Sequence, residues 1–276
     1  MNKLPIAKRT QIIQLLVEGM SLRATSRIAD VSINTVTKLL VDVGAACQRF
    51  HDDTVINVNS QRVQCDEIWS FVYAKDKNVE DAVAAPDGAG DVWTWTGIDA
   101  DTKLIVSWFV GNRDAESALF FMQDVKSRIA NRIQLTTDGY KPYLKAVETT
   151  FDGEIDFAQL VKIYGSPEGA GNEKRYSSAE YVGTVTKIIE GRPDEKHIST
   201  SYVERQNLTM RMHMRRFTRL TNGFSKKIEN HCHAIALHFV YYNFCKVHKT
   251  LRVTPAMEAK LSDRPMSIQQ VVELTD

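Results

Sequence analysis

Apolar residues recur at helical spacing through the first forty residues of the chain. The pattern predicts a helix over 5–18, and Ser21 and Ser32 stand where each hydroxyl can cap a further helix. Asp30 lies between the second and third helices, and Asp tolerates the left-handed conformation that a tight turn needs. Residues 1–50 are therefore predicted to form a helix-turn-helix unit.

The third helix of this unit carries polar side chains that its apolar face does not account for. In helix-turn-helix proteins, the second helix of the motif enters the major groove and presents its N-terminal side chains to base edges. This favours binding to double-stranded DNA, and the alternative is a small helical bundle that only packs against the rest of the chain. The residues predicted to contact DNA are Ser32, Asn34, Thr35 and Lys38.

The pattern changes to the alternation typical of strands after residue 62. Three strands, a helix and a fourth strand come first, and a helix, a fifth strand and a long helical segment follow. This order predicts an α/β fold. The predicted strands are 63–73, 92–98, 104–110, 133–137 and 157–163, and the predicted helices are 116–130, 140–150 and 201–249, with a break at 221–223.

The net charge of +1 hides a strong asymmetry along the chain. Residues 1–50 hold 7 Lys and Arg against 3 Asp and Glu, residues 51–200 hold 16 against 25, and residues 201–252 hold 10 against 2. Basic segments on either side of an acidic one are typical of a protein that binds phosphates at both ends and metal in between, although a basic helix can also be merely solvated. No apolar run is long enough to cross a membrane and the four cysteines are scattered, so we expect a cytoplasmic protein.

Three acidic residues each stand in a distinct context. Asp66 lies inside the first apolar strand, Asp138 directly follows the fourth strand, and Glu204 opens a basic helical stretch. A carboxylate within an apolar strand is disfavoured unless it is paired or binds a ligand. Carboxylates on a strand, a strand end and a helix make a ligand set for two hard divalent ions, Mg²⁺ or Mn²⁺. We therefore expect these three side chains to converge on one metal site.

Each acidic residue also has an ordinary explanation. Glu67 points to the strand face opposite Asp66, so we expect only one of the two to face the site, and alternation favours Asp66. Asp138 could be no more than a strand-ending turn residue. Glu204 could be a first-turn glutamate favoured by the helix dipole, although Arg211 follows on the same helix face two turns later.

Four short motifs, in this order, resemble the DDE transposases of bacterial insertion sequences, and among them the chain is most similar to the insertion-sequence-one family. The resemblance extends over nearly the whole chain. It implies an RNase H-like catalytic core, as in retroviral integrases, with an N-terminal helix-turn-helix and a helical C-terminal extension. The motifs are Asp66-Glu-Ile-Trp69, Thr137-Asp-Gly-Tyr140, Val203-Glu-Arg-Gln-Asn-Leu208, and Tyr242-Asn-Phe244 with Thr254-Pro-Ala256.

The resemblance implies a transposase that cuts DNA at transposon ends and transfers the freed strand into target DNA. Asp66, Asp138 and Glu204 would hold two divalent ions, and Arg211 and Arg215 would contact the DNA strand. The implied partners are double-stranded DNA, as transposon ends and target, and further copies of this chain in a homodimer or higher oligomer on the DNA. The implied setting is the nucleoid in a bacterial cytoplasm.

Two departures from the family pattern shape the domain prediction. The 65 residues between Asp138 and Glu204 predict an insertion at about 150–200 within a catalytic domain of 60–220, followed by an extension over 221–276. The N-terminal cysteine zinc finger of the family is absent. Two alternatives therefore stay open: a transposase-derived, sequence-specific DNA-binding regulator without catalysis, and an RNase H-like nuclease that cuts without joining.

Overall fold

The computed structural model describes residues 3–165, 181–218 and 221–276. Its centre is a mixed sheet in which the six described strands follow the order β3-β2-β1-β4-β5-β6. β1 pairs in parallel with β4, and β4 with β5, whereas the other neighbours are antiparallel. The strands are β1 (Arg62–Val72), β2 (Gly90–Asp99), β3 (Ile105–Gly111), β4 (Gln134–Thr137), β5 (Asp156–Tyr164) and β6 (Tyr181–Glu190).

Helices cover both faces of this sheet. A first apolar core lies between one face and α4 with α5, and a second lies between the opposite face and α6 with α7. The fold is therefore α/β, as predicted. The helices are α1 (Ile6–Val17), α2 (Leu22–Ala29), α3 (Ile33–Thr54), α4 (Ala115–Arg128), α5 (Pro142–Phe151), α6 (Ser201–His213), α7 (Ile228–Val240), α8 (Pro255–Glu258) and α9 (Ile268–Glu273).

The predicted strands and most of the predicted helices are present, with two differences. β6 is a strand that the sequence does not predict, and it lies in the segment assigned to an insertion at about 150–200; residues 166–180 of that segment lie outside the described residues. The predicted helical segment 201–249 has a longer break than predicted. α6 ends at His213, because Met214 takes an extended conformation and Phe217 then buries its ring in the core, and α7 begins only at Ile228.

The N-terminal caps form as predicted. The hydroxyls of Ser21 and Ser32 accept hydrogen bonds from the backbone N–H groups of Ala24 and Thr35, and Asp30 adopts the left-handed conformation with φ 49°. α3 continues as one helix to Thr54, well beyond a short recognition helix. The three helices thus have the predicted order and turns, while DNA binding by them stays a prediction.

The two ends of the chain share one apolar core. α3 packs along α7, and α1 packs against α9, so that buried residues from both ends belong to a single cluster that also includes Leu104 and Val106 beside β3. This cluster joins residues on either side of the predicted domain boundaries at 50 and 220. The boundaries themselves stay a prediction. No helix among the described residues is long and apolar enough to span a bilayer.

A buried asparagine joins the C-terminal segment to the sheet. Asn243 lies in a π-helical turn after α7, and its amide exchanges two hydrogen bonds of 2.9 Å with the backbone N–H and C=O of Ile105. β3 lies at the edge of the described sheet, so these two backbone groups have no neighbouring strand to pair with. Asn243 pairs both of them, and His51 Nε2 also lies 3.3 Å from the Ile105 carbonyl oxygen.

We expect Asn243→Ala to destabilise the protein by about 1–3 kcal/mol for each backbone group left unpaired in the core. Urea unfolding followed by circular dichroism measures this loss. The exposed Asn78→Ala variant is the matched control and should change the unfolding free energy by less than about 0.5 kcal/mol. Equal effects of the two substitutions would show that the amide bridge to Ile105 contributes nothing.

Candidate active site

The end of the β1–β4 pairing sets two acidic residues side by side. The two strands run parallel, and the last aligned pair is Cys65 with Thr137. The next residue on each strand is acidic, Asp66 in the middle of β1 and Asp138 just after β4. Since β4 leaves the sheet at this point, both carboxylates lie at the opening that it leaves.

Glu67 lies close to these two residues, next to Asp66 on β1. Carboxylate oxygens of Asp66, Glu67 and Asp138 all lie within 4.8 Å of one another. Alternation sends the Asp66 and Glu67 side chains to opposite faces of β1, and of the two only Asp66 lines the cavity at this edge of the sheet. The choice of Asp66 over Glu67 therefore stays a prediction.

Glu204 lies on the far wall of the same cavity. The cavity has a volume of about 800 Å³ and is lined by Asp66, Asp138 and Glu204 among others. Glu204 is not one of the three clustered carboxylates; it accepts hydrogen bonds from the Thr200 hydroxyl, at 2.6 Å, and from the ammonium of Lys162 on β5. The structure thus brings the three predicted residues to one cavity, and their catalytic roles stay a prediction.

Two polar side chains fix α6 against β1. The side-chain oxygen of Gln64 accepts hydrogen bonds from the backbone N–H groups of Tyr202 and Val203, so a residue of the sheet caps this helix. One turn after Glu204, the Asn207 amide donates to Asp66 Oδ2 at 2.8 Å. Together these bonds determine the direction from which the first turn of α6 approaches the acidic cluster.

Arg113 holds the other side of the cluster, and it is not among the residues that the sequence predicts. Its Nε lies 3.3 Å from Glu67 Oε2, and its Nη2 lies 3.8 Å from Asp138 Oδ2. The guanidinium stacks on the Tyr140 ring, 4.0 Å from its centroid, and the Tyr140 hydroxyl donates to the Arg113 carbonyl. Arg113 follows the third strand, which β2 separates from β1, so only the folded chain shows that Arg113 reaches Glu67 and Asp138.

Burial and mutual repulsion raise the pKa values of the clustered carboxyls. Burial, and then the charge of Asp138, raises the pKa of Asp66 to about 7, and the same two causes raise the pKa of Glu67 to about 7. Burial also raises the pKa of Asp138, against the hydrogen bond that it accepts from the Tyr140 backbone N–H. Full ionisation of the cluster is therefore unfavourable unless a cation in addition to Arg113 compensates its negative charge.

The donor set fits a hard divalent cation. Three carboxylates offer oxygen ligands within a few ångströms of one another, which is the chemistry that Mg²⁺ and Mn²⁺ prefer. Glu67 is also only 8% exposed, so its negative charge is costly unless a cation compensates it. Asp66, Glu67 and Asp138 are thus the residues placed to hold such an ion, with Glu204 nearby.

The predicted DNA-contacting residues lie outside this cavity. At the start of α3, Ser32, Asn34 and Lys38 are exposed, while Thr35 is half-buried and its backbone N–H binds the capping Ser32. Two predicted basic residues follow Glu204 along the chain. Arg211 is half-buried on the last part of α6, and Arg215 is exposed just beyond it.

Comparisons with known proteins give a weak structural likeness. No protein-family model matches the sequence, and no curated protein matches it. The cryo-EM structure of a piggyBac transposase synaptic complex with hairpin DNA aligns over 98% of this chain and 69% of that chain, with 9% identity and a TM-score of 0.42.

Two structures of Mos1 transposase also align. The Mos1 strand transfer complex covers 86% of this chain and 78% of that chain, with 12% identity and a TM-score of 0.25. The Mos1 mariner paired end complex with Mn covers 55% of this chain and 58% of that chain, with 12% identity and a TM-score of 0.23. Each of these TM-scores is below 0.5, so the likeness alone does not assign a function.

We expect Mg²⁺ to stabilise the protein more at pH 8 than at pH 5.5. Ordinary carboxyls titrate near pH 4 in the unfolded chain. Between about pH 4 and 7 the folded state therefore binds more protons at Asp66 and Glu67 than the unfolded state does, so the metal-free protein loses stability as pH rises. A divalent cation that binds the ionised cluster should reverse this loss by several degrees of Tm, since 1 kcal/mol shifts Tm by about 2–4 °C in a large domain.

Thermal unfolding with and without Mg²⁺ at the two pH values tests this expectation. Asp66→Asn should raise the metal-free Tm at pH 8 and abolish most of the gain from Mg²⁺, whereas the exposed Asp81→Asn should do neither. An increase in Tm with Mg²⁺ that is the same at both pH values, or that persists in the Asp66→Asn variant, would contradict a metal site at this cluster.

Proposed function

We propose that this protein is a DDE transposase of an insertion sequence, which cuts DNA at the element's ends and joins the freed 3′ ends to target DNA. The observation that carries the proposal is that Asp66, Asp138 and Glu204, with 71 and 65 residues between them, line one cavity. The sheet order, with parallel β1, β4 and β5, supports an RNase H-like core for the chain. We further propose that it acts as a homodimer or higher oligomer on DNA at the bacterial nucleoid.

The chain's own residues would prepare this cavity for phosphoryl transfer. Asn207 orients the Asp66 carboxylate by its hydrogen bond, and Arg113 does the same for Glu67 and Asp138. Lys162 balances the charge of Glu204 at the opposite wall. Two divalent ions, Mg²⁺ or Mn²⁺, held by these carboxylates would activate the attacking water or 3′-hydroxyl and stabilise the leaving oxygen. Positioning of the scissile phosphate against the ligands is then the main task of the protein.

The cost of the acidic cluster favours an enzyme over a regulator without catalysis. Burial raises the pKa values of Asp66, Glu67 and Asp138, and the charge of Asp138 raises those of Asp66 and Glu67 further, so keeping these carboxylates ionised costs stability. A protein that only binds DNA gains nothing from this arrangement, and neutral side chains at these positions would make it more stable. An RNase H-like nuclease would use the same cluster, so joining of DNA ends is the activity that separates the two enzymes.

We expect Glu204→Gln to abolish cleavage and joining while DNA binding stays within about threefold of the parent. The amide keeps the size and the hydrogen bond to Thr200 but removes the charge that a divalent cation needs. The measurement is Mg²⁺-dependent nicking and joining of a labelled duplex that carries the element's end, beside a binding titration. The exposed Glu195→Gln variant is the control and should keep both activities.

Activity of Glu204→Gln at the parent rate would refute the catalytic assignment. A parent protein that nicks the duplex but does not join DNA ends would instead favour the nuclease. Specific binding without any cleavage by the parent, in Mg²⁺ and in Mn²⁺, would favour the regulator.

We expect Asn34→Ala to weaken the preference for the element's end over unrelated duplex. Asn34 is exposed at the start of α3, where a recognition helix presents its side chains to bases. A bidentate contact with a base is worth about 1–3 kcal/mol of discrimination. Competition titrations with specific and unrelated duplexes measure it, and Gln11→Ala, exposed on α1, is the control. Unchanged discrimination after truncation of Ser32, Asn34, Thr35 and Lys38 together would show that α3 does not read the bases.

A further inference from the structure

A second cavity, of about 700 Å³, lies where the N-terminal helices meet the end of α6. Its walls come from the α1–α2 turn, from the chain that follows α6, and from α7. The turn approaches closely because Gly19 has φ 85°, and a Cβ there would lie 3.0 Å from the His213 carbonyl oxygen. This cavity, here called the basic cavity, shares no lining residue with the acidic one.

Four of the residues that line the basic cavity are cations, most of the others are apolar, and none of the lining residues among those described is acidic. Arg23, Arg215 and Lys226 are exposed at its rim. Arg216 donates to the Ser225 hydroxyl at 2.7 Å, and no carboxylate of the described residues lies within 4.0 Å of its guanidinium. Burial lowers the pKa of Arg216 to about 10, which still leaves it charged at neutral pH. Such a concentration of positive charge is suited to an anion.

Two further groups at this cavity are donors that fit an anion. α2 begins at the cavity wall with Ser21 as its cap, so the positive end of an eight-residue helix lies there. His238 also lines the cavity; it is 5% exposed, and its Nε2 has no hydrogen-bond partner among the described residues. Burial lowers the pKa of His238 to about 3, so the ring is neutral and can offer an N–H without adding charge.

We propose that the basic cavity binds a backbone phosphate of the same DNA strand that enters the acidic cavity. This rests on the proposed function. α6 connects the two sites, since Glu204 lies in its first turn and His213, at its end, lines the basic cavity. At a rise of 1.5 Å per residue, the nine residues from one to the other span about 14 Å. That length is within the reach of a few nucleotides of one strand, so one DNA molecule can reach both sites.

The site would place the scissile phosphate by holding the strand several nucleotides away from it. A backbone phosphate is favoured over a free nucleotide because the charges of Arg23, Arg215 and Lys226 lie at the exposed rim, where a strand can pass across them. A free nucleotide or inorganic phosphate shares the anionic chemistry, and the experiment separates these sources.

The test is DNA binding by the double variant Arg215→Gln/Lys226→Gln in EDTA, where no cleavage can occur. Fluorescence anisotropy of a labelled duplex over several salt concentrations gives the salt slope, which changes by about 0.9 for each DNA phosphate that the protein no longer neutralises. We expect the slope to fall by about one unit and the affinity in low salt by roughly tenfold. The control is Lys227→Gln/Lys249→Gln, which removes two exposed cations that do not line the cavity and should leave both values nearly unchanged.

Ethylation interference locates the bound phosphate on the DNA. In the parent protein, ethylation of a phosphate a few nucleotides from the cleavage site should block binding, and in the double variant this block should disappear. An equal loss in the control pair, or an unchanged interference pattern, would overturn the proposal. Displacement of a fluorescent nucleotide by inorganic phosphate or dAMP, with the DNA affinity of the double variant unchanged, would also overturn it by assigning the cavity to a small phosphate.

The same experiment separates this proposal from the proposed function. If the parent protein binds no duplex at any salt concentration, both the proposed function and the phosphate site in the basic cavity are refuted. If the parent protein binds, cuts and joins DNA but the double variant keeps the parent salt slope, only the phosphate site in the basic cavity is refuted.

Discussion

The rest of the structure depends on how α6 docks on β1. Gln64 and Asp66 are two residues apart on one strand, so they share a face, and each bonds a different part of the helix. Gln64 binds the two N–H groups at its start and Asp66 binds Asn207 one turn further on. Val203 and Met210 pack into the apolar core beneath, which includes Ile68. These contacts set the rotation of α6, and the rotation determines that Glu204 faces the acidic cavity.

Much of the fold could be predicted because its elements obey local rules. The caps at Ser21 and Ser32, the turn at Asp30 and the alternation along β1 are properties of neighbouring residues, and the structure has all of them. β6 escaped prediction because its side chains are mostly exposed on both faces, so no alternation of apolar and polar residues marks it.

The site was only partly predictable because it depends on long-range pairing. Asp66 could be chosen from local context, since an acidic residue in an apolar strand is unusual, whereas Asp138 and Glu204 also have ordinary local explanations and needed the family resemblance. The place of Glu67 in the cluster depends on β4 ending opposite Cys65. Arg113 in turn depends on the order β3-β2-β1, and no property of its own sequence neighbourhood gives that order.

The shared core of the two chain ends limits how this protein can be rearranged. Since α3 packs along α7 and α1 packs against α9, the N-terminal helices are not a cassette that can be exchanged alone. A chimera with foreign N-terminal helices would expose the apolar faces of α7 and α9 unless their sequences were exchanged too. Recombination between related genes could thus exchange these helices only together with the segments that encode α7 and α9.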